Sequence, residues 1–266
     1  MTAVARPAAT VALVRDGARG LEVLMMVRPM AAAFAPRAFV FPGGRIDDSD
    51  GDPGWADLLD IDEPGRALIA EDGEEDGMPS ATAFRVGAIR EMFEESAMLI
   101  GSTQPPDPAW AADARTRVHG GVETFQAVLR AAGLRLRPAD LVHFARWITP
   151  ESEPKRYDTR FYTAAIPGGQ TPSAAPGEVE SLTWITPAEA LANASNADAY
   201  VMPPTRAALE GLAKYSDVAS ALPGMHASRN LRPILPRLIR GSAGQPGPDI
   251  QVVLPGDPGY EGAEAL

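Results

Sequence analysis

With 266 residues and 45% hydrophobic content, the chain can bury a sizeable core as one enlarged domain or two small ones, which excludes a fibrous or wholly disordered protein. Having no cysteine, it has no disulfide framework, thiolate nucleophile or cysteine-based zinc centre, and it suits a reducing, cytoplasmic setting. The formal charge of −11 is concentrated between 47 and 80, where thirteen acids meet the single base Arg66; the remainder is near neutral and shows no basic stripe for nucleic acid.

In chain order, the apolar run from Ala8 to Val14 is cut short by Arg15 and Asp16, unlike a signal peptide, and no run approaches the roughly 20 residues that cross a bilayer. Residues 9–15 and 21–28 read as strands, and 38–41 as a third that runs into Pro42-Gly43-Gly44. The acidic segment 47–80 reads as a mobile loop, with a short helix near Trp55 to Leu59, or else as a substrate lid. Residues 81–100 form one long helix. Pro105-Pro106-Asp107-Pro108 breaks the chain before helices at about 109–118 and 121–132, the second ending at Gly133. Strands follow at 141–148, 157–166 and 180–185. Pro187 opens a helix through Leu191, Pro203-Pro204 opens another to about Leu222, and 231–254 is a Pro-rich closing segment. Strands on both sides of a central helix point to an α/β/α sandwich with a mixed sheet. His119, His143 and His226 lack any paired spacing and read as surface or helix-packing residues.

The chemistry concentrates in Arg90-Glu91-Met92-Phe93-Glu94-Glu95. At roughly 100° per residue, Glu91, Glu94 and Glu95 share one helical face, while Val86, Ile89, Phe93, Ala97 and Ile100 lie opposite. Like charges three and four residues apart each cost a helix a few tenths of a kcal/mol, which invites a compensating cation. All-oxygen ligands favour Mg²⁺ or Mn²⁺; a solvated acidic face explains the hexapeptide equally well when it is taken alone. Upstream, Phe39-Val40-Phe41-Pro42-Gly43-Gly44 is an apolar strand entering a glycine turn, where backbone N–H groups can approach a phosphate or its metal.

Together these segments resemble the Nudix hydrolase family, whose box runs Gly, five residues, Glu, seven residues, then Arg-Glu-apolar-x-Glu-Glu-x-Gly-apolar. Gly44 opens the box, and Arg90, Glu91, Met92, Glu94, Glu95 and Met98 close it. Arg90 stands 32 residues beyond position 58, where the undivided motif puts it, so an insertion splits the box. Thr82 occupies the position eight before Arg90, where the family has glutamate, and Ala97 replaces the final glycine, an exchange that suits a helix. A split box resembles the coenzyme A diphosphatase-like branch, as do Arg85-Val86-Gly87-Ala88-Ile89, Trp147-Ile148-Thr149-Pro150, Lys155-Arg156-Tyr157-Asp158 and Leu254-Pro255-Gly256-Asp257. The chain then reads as a single Nudix domain over 1–266, with an acidic insertion at about 47–80 and a helical, Pro-rich extension at about 203–266. The terminal Glu264-Ala265-Leu266 differs from a peroxisomal address.

The resemblance implies metal-dependent hydrolysis of a diphosphate in a nucleotide-linked small molecule. Coenzyme A or an acyl-coenzyme A leads, giving 4′-phosphopantetheine derivatives and adenosine 3′,5′-bisphosphate. ADP-ribose or another nucleoside diphosphate conjugate is the alternative, and a non-catalytic nucleotide-binding module is a third reading. The implied metal ligands are Glu91, Glu94 and Glu95, with Arg90 holding a carboxylate in place. Glu91 is also a candidate base; one more catalytic carboxylate is implied from a loop before a late strand, Glu178 first and Glu180 second, both of which otherwise read as solvated loop charges. The Gly44 backbone, Arg28, Arg37, Lys155 and Arg156 are the candidate phosphate contacts. Phe34, Tyr157 and Phe161 serve either an adenine or the core. Monomer and homodimer both remain open, and neither membrane nor nucleic acid is expected as a partner.

Overall fold

The computed structural model describes residues 3–30, 37–194, 200–240 and 250–262. Alternating apolar residues build a long hairpin of β1 (Arg6–Gly17) and β2 (Gly20–Val27). These strands pair only from Val14 to Gly17 against Gly20 to Val23, and beyond that they part. Into the fork run β3 (Phe39–Val40), paired with β2, and β4 (Gly43–Arg45), paired with β1 at Ala8 to Thr10. The glycine turn therefore lies inside the sheet, where Val11 N–H and Thr10 Oγ1 donate to the Pro42 carbonyl at 2.9 and 2.8 Å.

The far edge of β1 runs parallel to β6 (Tyr157–Ala165), which continues antiparallel to β5 (Val142–Ile148); β8 (Asn230–Ile234) joins β5 in parallel, and β7 (Ser181–Ile185) covers β2. The sheet is mixed. One face packs α1 (Glu63–Ala70), α2 (Ala81–Ser96), α3 (Pro108–His119) and α4 (Phe125–Ala132), with Val11, Leu13, Phe84, Ile89, Met92, Phe93 and Leu129 in the shared core. The other packs α5 (Pro187–Asn193), α6 (Pro203–Leu212) and α7 (Val218–Ala227) around Val14, Val23, Phe144, Trp147 and Leu209. Each fully buried Leu, Ile, Phe or Met contributes about 1.5–3 kcal/mol, so both faces hold the sheet firmly. This is the expected α/β/α sandwich. Among the described residues no helix is long and apolar enough to cross a membrane.

Several expectations are corrected. The helix expected from Pro203 to Leu222 is two helices, broken at 213–217, and the closing segment contributes β8 and a separate hairpin of β9 (Arg237–Arg240) and β10 (Ile250–Val253). The helix expected from 121 begins at Phe125, capped by the Thr124 hydroxyl. The acidic insertion is folded. It contains 3₁₀ turns at Asp48–Gly51 and Pro53–Asp57 as well as α1, and it buries Trp55, Leu58 and Ile69. Its acids meet arginines of the body: Asp72 accepts from Arg85 Nε and Nη2 at 2.9 and 3.0 Å, Glu75 pairs with Arg146, Glu71 with Arg229, and Asp60 with Arg137. Pattern alone could not show this, since the partners lie up to 158 residues away.

The helix α2 starts where Ser80 Oγ accepts from Ala83 N–H at 3.1 Å and stops at Ser96, short of the expected residue 100. Ala97 ends it in the left-handed region at φ 58°, ψ 14°. Alanine is therefore not the favourable exchange that a continuing helix would make it. Left-handed strain costs an L-residue about 1–2 kcal/mol, against the about 0.5–1 kcal/mol by which glycine favours the unfolded chain. Ala97→Gly is expected to raise stability by about 0.5–1 kcal/mol in urea unfolding; a loss would show that the surrounding packing, rather than φ, dictates this residue.

Candidate active site in the strand fork

The helix α2 crosses the sheet so that its last two turns lie over the glycine turn. Gly43 N–H donates to Glu95 Oε2 at 2.8 Å. A Cβ on Gly44 would sit 2.5 Å from Glu91 Oε2, so only glycine admits that carboxylate to the turn. Instead of one acidic and one apolar face, the helix is enclosed nearly all round; Glu95 is 9% exposed, and Arg85 and Arg90 are buried with it.

Arg90 organises the cluster. Its Nε and Nη2 donate to the two Asp50 oxygens at 2.8 and 2.9 Å, and Nη2 also donates to the Arg45 carbonyl at 2.8 Å. Its Nη1 donates to Glu91 Oε1 at 2.9 Å and Glu94 Oε1 at 3.0 Å. Burial opposes the guanidinium's charge, but Asp50, Glu91 and Glu94 hold its pKa above the ordinary value. One side chain thus sets the spacing of two of the three carboxylates.

Asp50 corrects the reading of Thr82 as the lost partner of Arg90. It lies six residues after Gly44, where the undivided box has its glutamate, so the first half of the motif is intact and the extra chain follows Asp50. It is 2% exposed and accepts from Asp47 N–H at 2.9 Å, and a Cβ on Gly87 would lie 2.6 Å from Ile46 Cδ1 and 2.7 Å from Asp50 Oδ2, so both side chains approach α2 at a glycine. The signal was the Gly-x₅-acid spacing, masked by the many acids around it.

Crowding leaves these carboxylates short of positive charge. Burial pushes Glu91 up to about 7, with Arg90 opposing and Glu94 adding. Burial also drives Glu95 well above the carboxylate range, helped by Glu91 and opposed by Gly43 N–H and Arg28; Glu178 adds to the rise. Arg28 and Glu178 therefore reach the same electrostatic neighbourhood. Among the described residues no group of three His, Asp or Glu is arranged to hold a metal ion, as Arg90 and Gly43 take up oxygens of all three glutamates. As a donor set, though, three crowded carboxylates with two raised pKa values fit a hard divalent cation, which would replace the missing positive charge.

Other expected site residues fall at different distances. Arg37, exposed and at φ 57°, is tied through its N–H to the Arg28 carbonyl, so its backbone stands beside that residue. Arg156 donates to the Thr149 and Ala3 carbonyls at 3.0 and 2.8 Å, and Lys155 is exposed beside it. Both precede Tyr157, which pairs with Arg6, whereas Gly43 is level with Thr10 and Phe161. That places the pair roughly 15 Å along the sheet from the glycine turn, at about 3.3 Å per residue. Phe161 belongs to the core, and Phe34 lies outside the described residues. His143 is buried on β5, 3.3 Å from Asp72, rather than at the surface or on a helix.

The family model described as the NUDT19 Nudix domain matches residues 2–210. The acyl-coenzyme A diphosphatase NUDT19 of Xenopus laevis is 26% identical over 231 residues, covering 74% of this chain and 61% of that protein. The human protein of the same name is 25% identical over 238 residues, covering 76% and 63%. The chain thus spans about three-fifths of the length of these relatives. A solved Nudix hydrolase from Alicyclobacillus acidocaldarius superposes with a TM-score of 0.67 at 27% identity, covering 84% of this chain and 97% of that one. Carboxylate helix, glycine turn, sandwich and family match agree, and the chain belongs to the Nudix family, within the group defined by the NUDT19 Nudix domain.

Proposed function

We propose that the chain is a single Nudix hydrolase domain that cuts the diphosphate of coenzyme A or an acyl-coenzyme A, using Mg²⁺ or Mn²⁺, to give 4′-phosphopantetheine derivatives and adenosine 3′,5′-bisphosphate. The observation carrying this reading is the placement of Glu91 and Glu95 against the Gly43-Gly44 turn, with Glu94 beside them on Arg90. The names of the NUDT19 relatives support the substrate class.

Glu91, Glu94 and Glu95 would hold the cation, which when bound neutralises charge on phosphate oxygens and acidifies a water. Hydrolysis of a diphosphate demands mainly positioning and electrostatics from the protein. Arg90 fixes Glu91 and Glu94, Gly44 keeps the turn open to Glu91, and Arg28 and Arg37 face the phosphates. Glu178 orients and deprotonates water, with Glu91 as the other candidate base. Lys155 and Arg156 would meet only the distal end of an extended substrate, such as a 3′-phosphate.

The test is metal-dependent hydrolysis of coenzyme A, acyl-coenzyme A, ADP-ribose and nucleoside triphosphates by wild type and Glu94→Gln, beside a thermal-shift screen of the same ligands with Mg²⁺. Coenzyme A thioesters should turn over fastest, with activity lost in the variant. Preference for ADP-ribose would overturn the substrate, and ligand binding without turnover would overturn the enzyme.

A further inference from the structure

Glu178 stands in the loop between β6 and β7, and that loop is fixed from two sides. Against the end of α2, Ser173 N–H donates to the Ser96 carbonyl at 2.8 Å and Ala175 N–H to the Glu95 carbonyl at 3.1 Å. From α3, Arg115 Nη1 donates to the Ser173 carbonyl at 2.6 Å. One turn further along α3, at its last residue, His119 Nδ1 lies 3.4 Å from Glu178 Oε2. Arg117 between them is taken by Asp113 and Glu123 at 3.0 and 2.6 Å. The helix α3 thus grips the loop backbone at 173 and meets its carboxylate at 178.

We infer that His119 is a positioning residue which, through Nδ1, fixes the Glu178 carboxylate in the orientation from which it serves the α2 glutamates. The inference rests on the reading of Glu178 as part of the hydrolytic site. A half-exposed glutamate in a loop samples several rotamers, and a ring nitrogen at the end of a packed helix selects among them at little entropic cost, because the ring has only two side-chain torsions. His119 touches no α2 carboxylate in the structure, so its effect must pass through Glu178.

The test uses the full chain with Mn²⁺ and the best substrate of the panel. His119→Ala is expected to lower kcat about 2- to 5-fold, the worth of one half-exposed ion pair, with KM within about twofold. Asn places an N–H near the position of Nδ1 and should recover most of the loss, whereas Gln, which mimics Nε2, should not. On a Glu178→Gln background, His119→Ala should cost nothing more. The thermal midpoint of each variant checks folding. Wild-type kcat in His119→Ala, equal rescue by Asn and Gln, or an undiminished loss in the Glu178→Gln background would each overturn the inference. Active wild type with an unaffected Glu178→Gln would overturn it too, while leaving the α2 carboxylates as read. Wild type without metal-dependent hydrolysis would sink that broader reading itself.

Discussion

Glu95→Gln is expected to abolish most hydrolysis, by about 10²–10³-fold in kcat, while making the metal-free protein more stable at neutral pH. The two effects have one cause. Glu95 is buried, its carboxylate is pushed well above the usual range, first by desolvation and then by the charge of Glu91, and its ionisation in the folded chain is therefore unfavourable. A carboxyl whose pKa is raised by folding loses stability as pH climbs from the unfolded value through the folded one, so the neutral amide removes a liability present at pH 7. Glutamine keeps an oxygen for Gly43 N–H, so the turn should survive. Urea unfolding in EDTA and initial rates with Mn²⁺ read the two effects separately. Lower stability in the variant would mean that the native site already balances this charge.

Asp50→Ala should damage both stability and activity although Asp50 lies outside α2. It removes two carboxylate oxygens from a guanidinium that is 6% exposed; loss of a buried partner costs about 3–5 kcal/mol where no other charge remains, and Glu91 and Glu94 should hold the loss below that range. The remaining partners of Arg90 are Glu91, Glu94, Asp47 at 3.6 Å and the Arg45 carbonyl, so the released guanidinium is expected to draw more closely on the two glutamates that should face the metal. Activity should fall about 10- to 100-fold beyond what the unfolded fraction explains, as losses of supporting contacts around a metal site do. Chemical denaturation and the Mn²⁺ dependence of the rate measure this. A destabilised enzyme with unchanged metal affinity would confine Asp50 to holding the fold.

Residues acting through near neighbours were legible in the sequence. Glu91, Glu94 and Glu95 are placed by helical spacing, and Gly43-Gly44 by the demands of a turn, so the family resemblance, the glutamate helix and the glycine turn followed from local pattern. The strands at 9–15, 21–28, 141–148 and 157–166 followed from alternation, and only their ends moved.

Tertiary structure decided what depends on distant partners. Asp50, Asp72 and Glu75 look alike in a run of acids, and nothing local says that they meet Arg90, Arg85 and Arg146, because the pairing energy arises only once burial lowers the local dielectric. The left-handed turn at Ala97 was hidden for a related reason: helix propensity is worth tenths of a kcal/mol per residue, and packing at the end of α2 outweighs it. The contact of His119 with Glu178 belongs to the same class, being made across a helix end and a loop far apart in the chain. Local periodicity thus set which groups the chain carries for chemistry, and long-range burial set which of them are held, and by what.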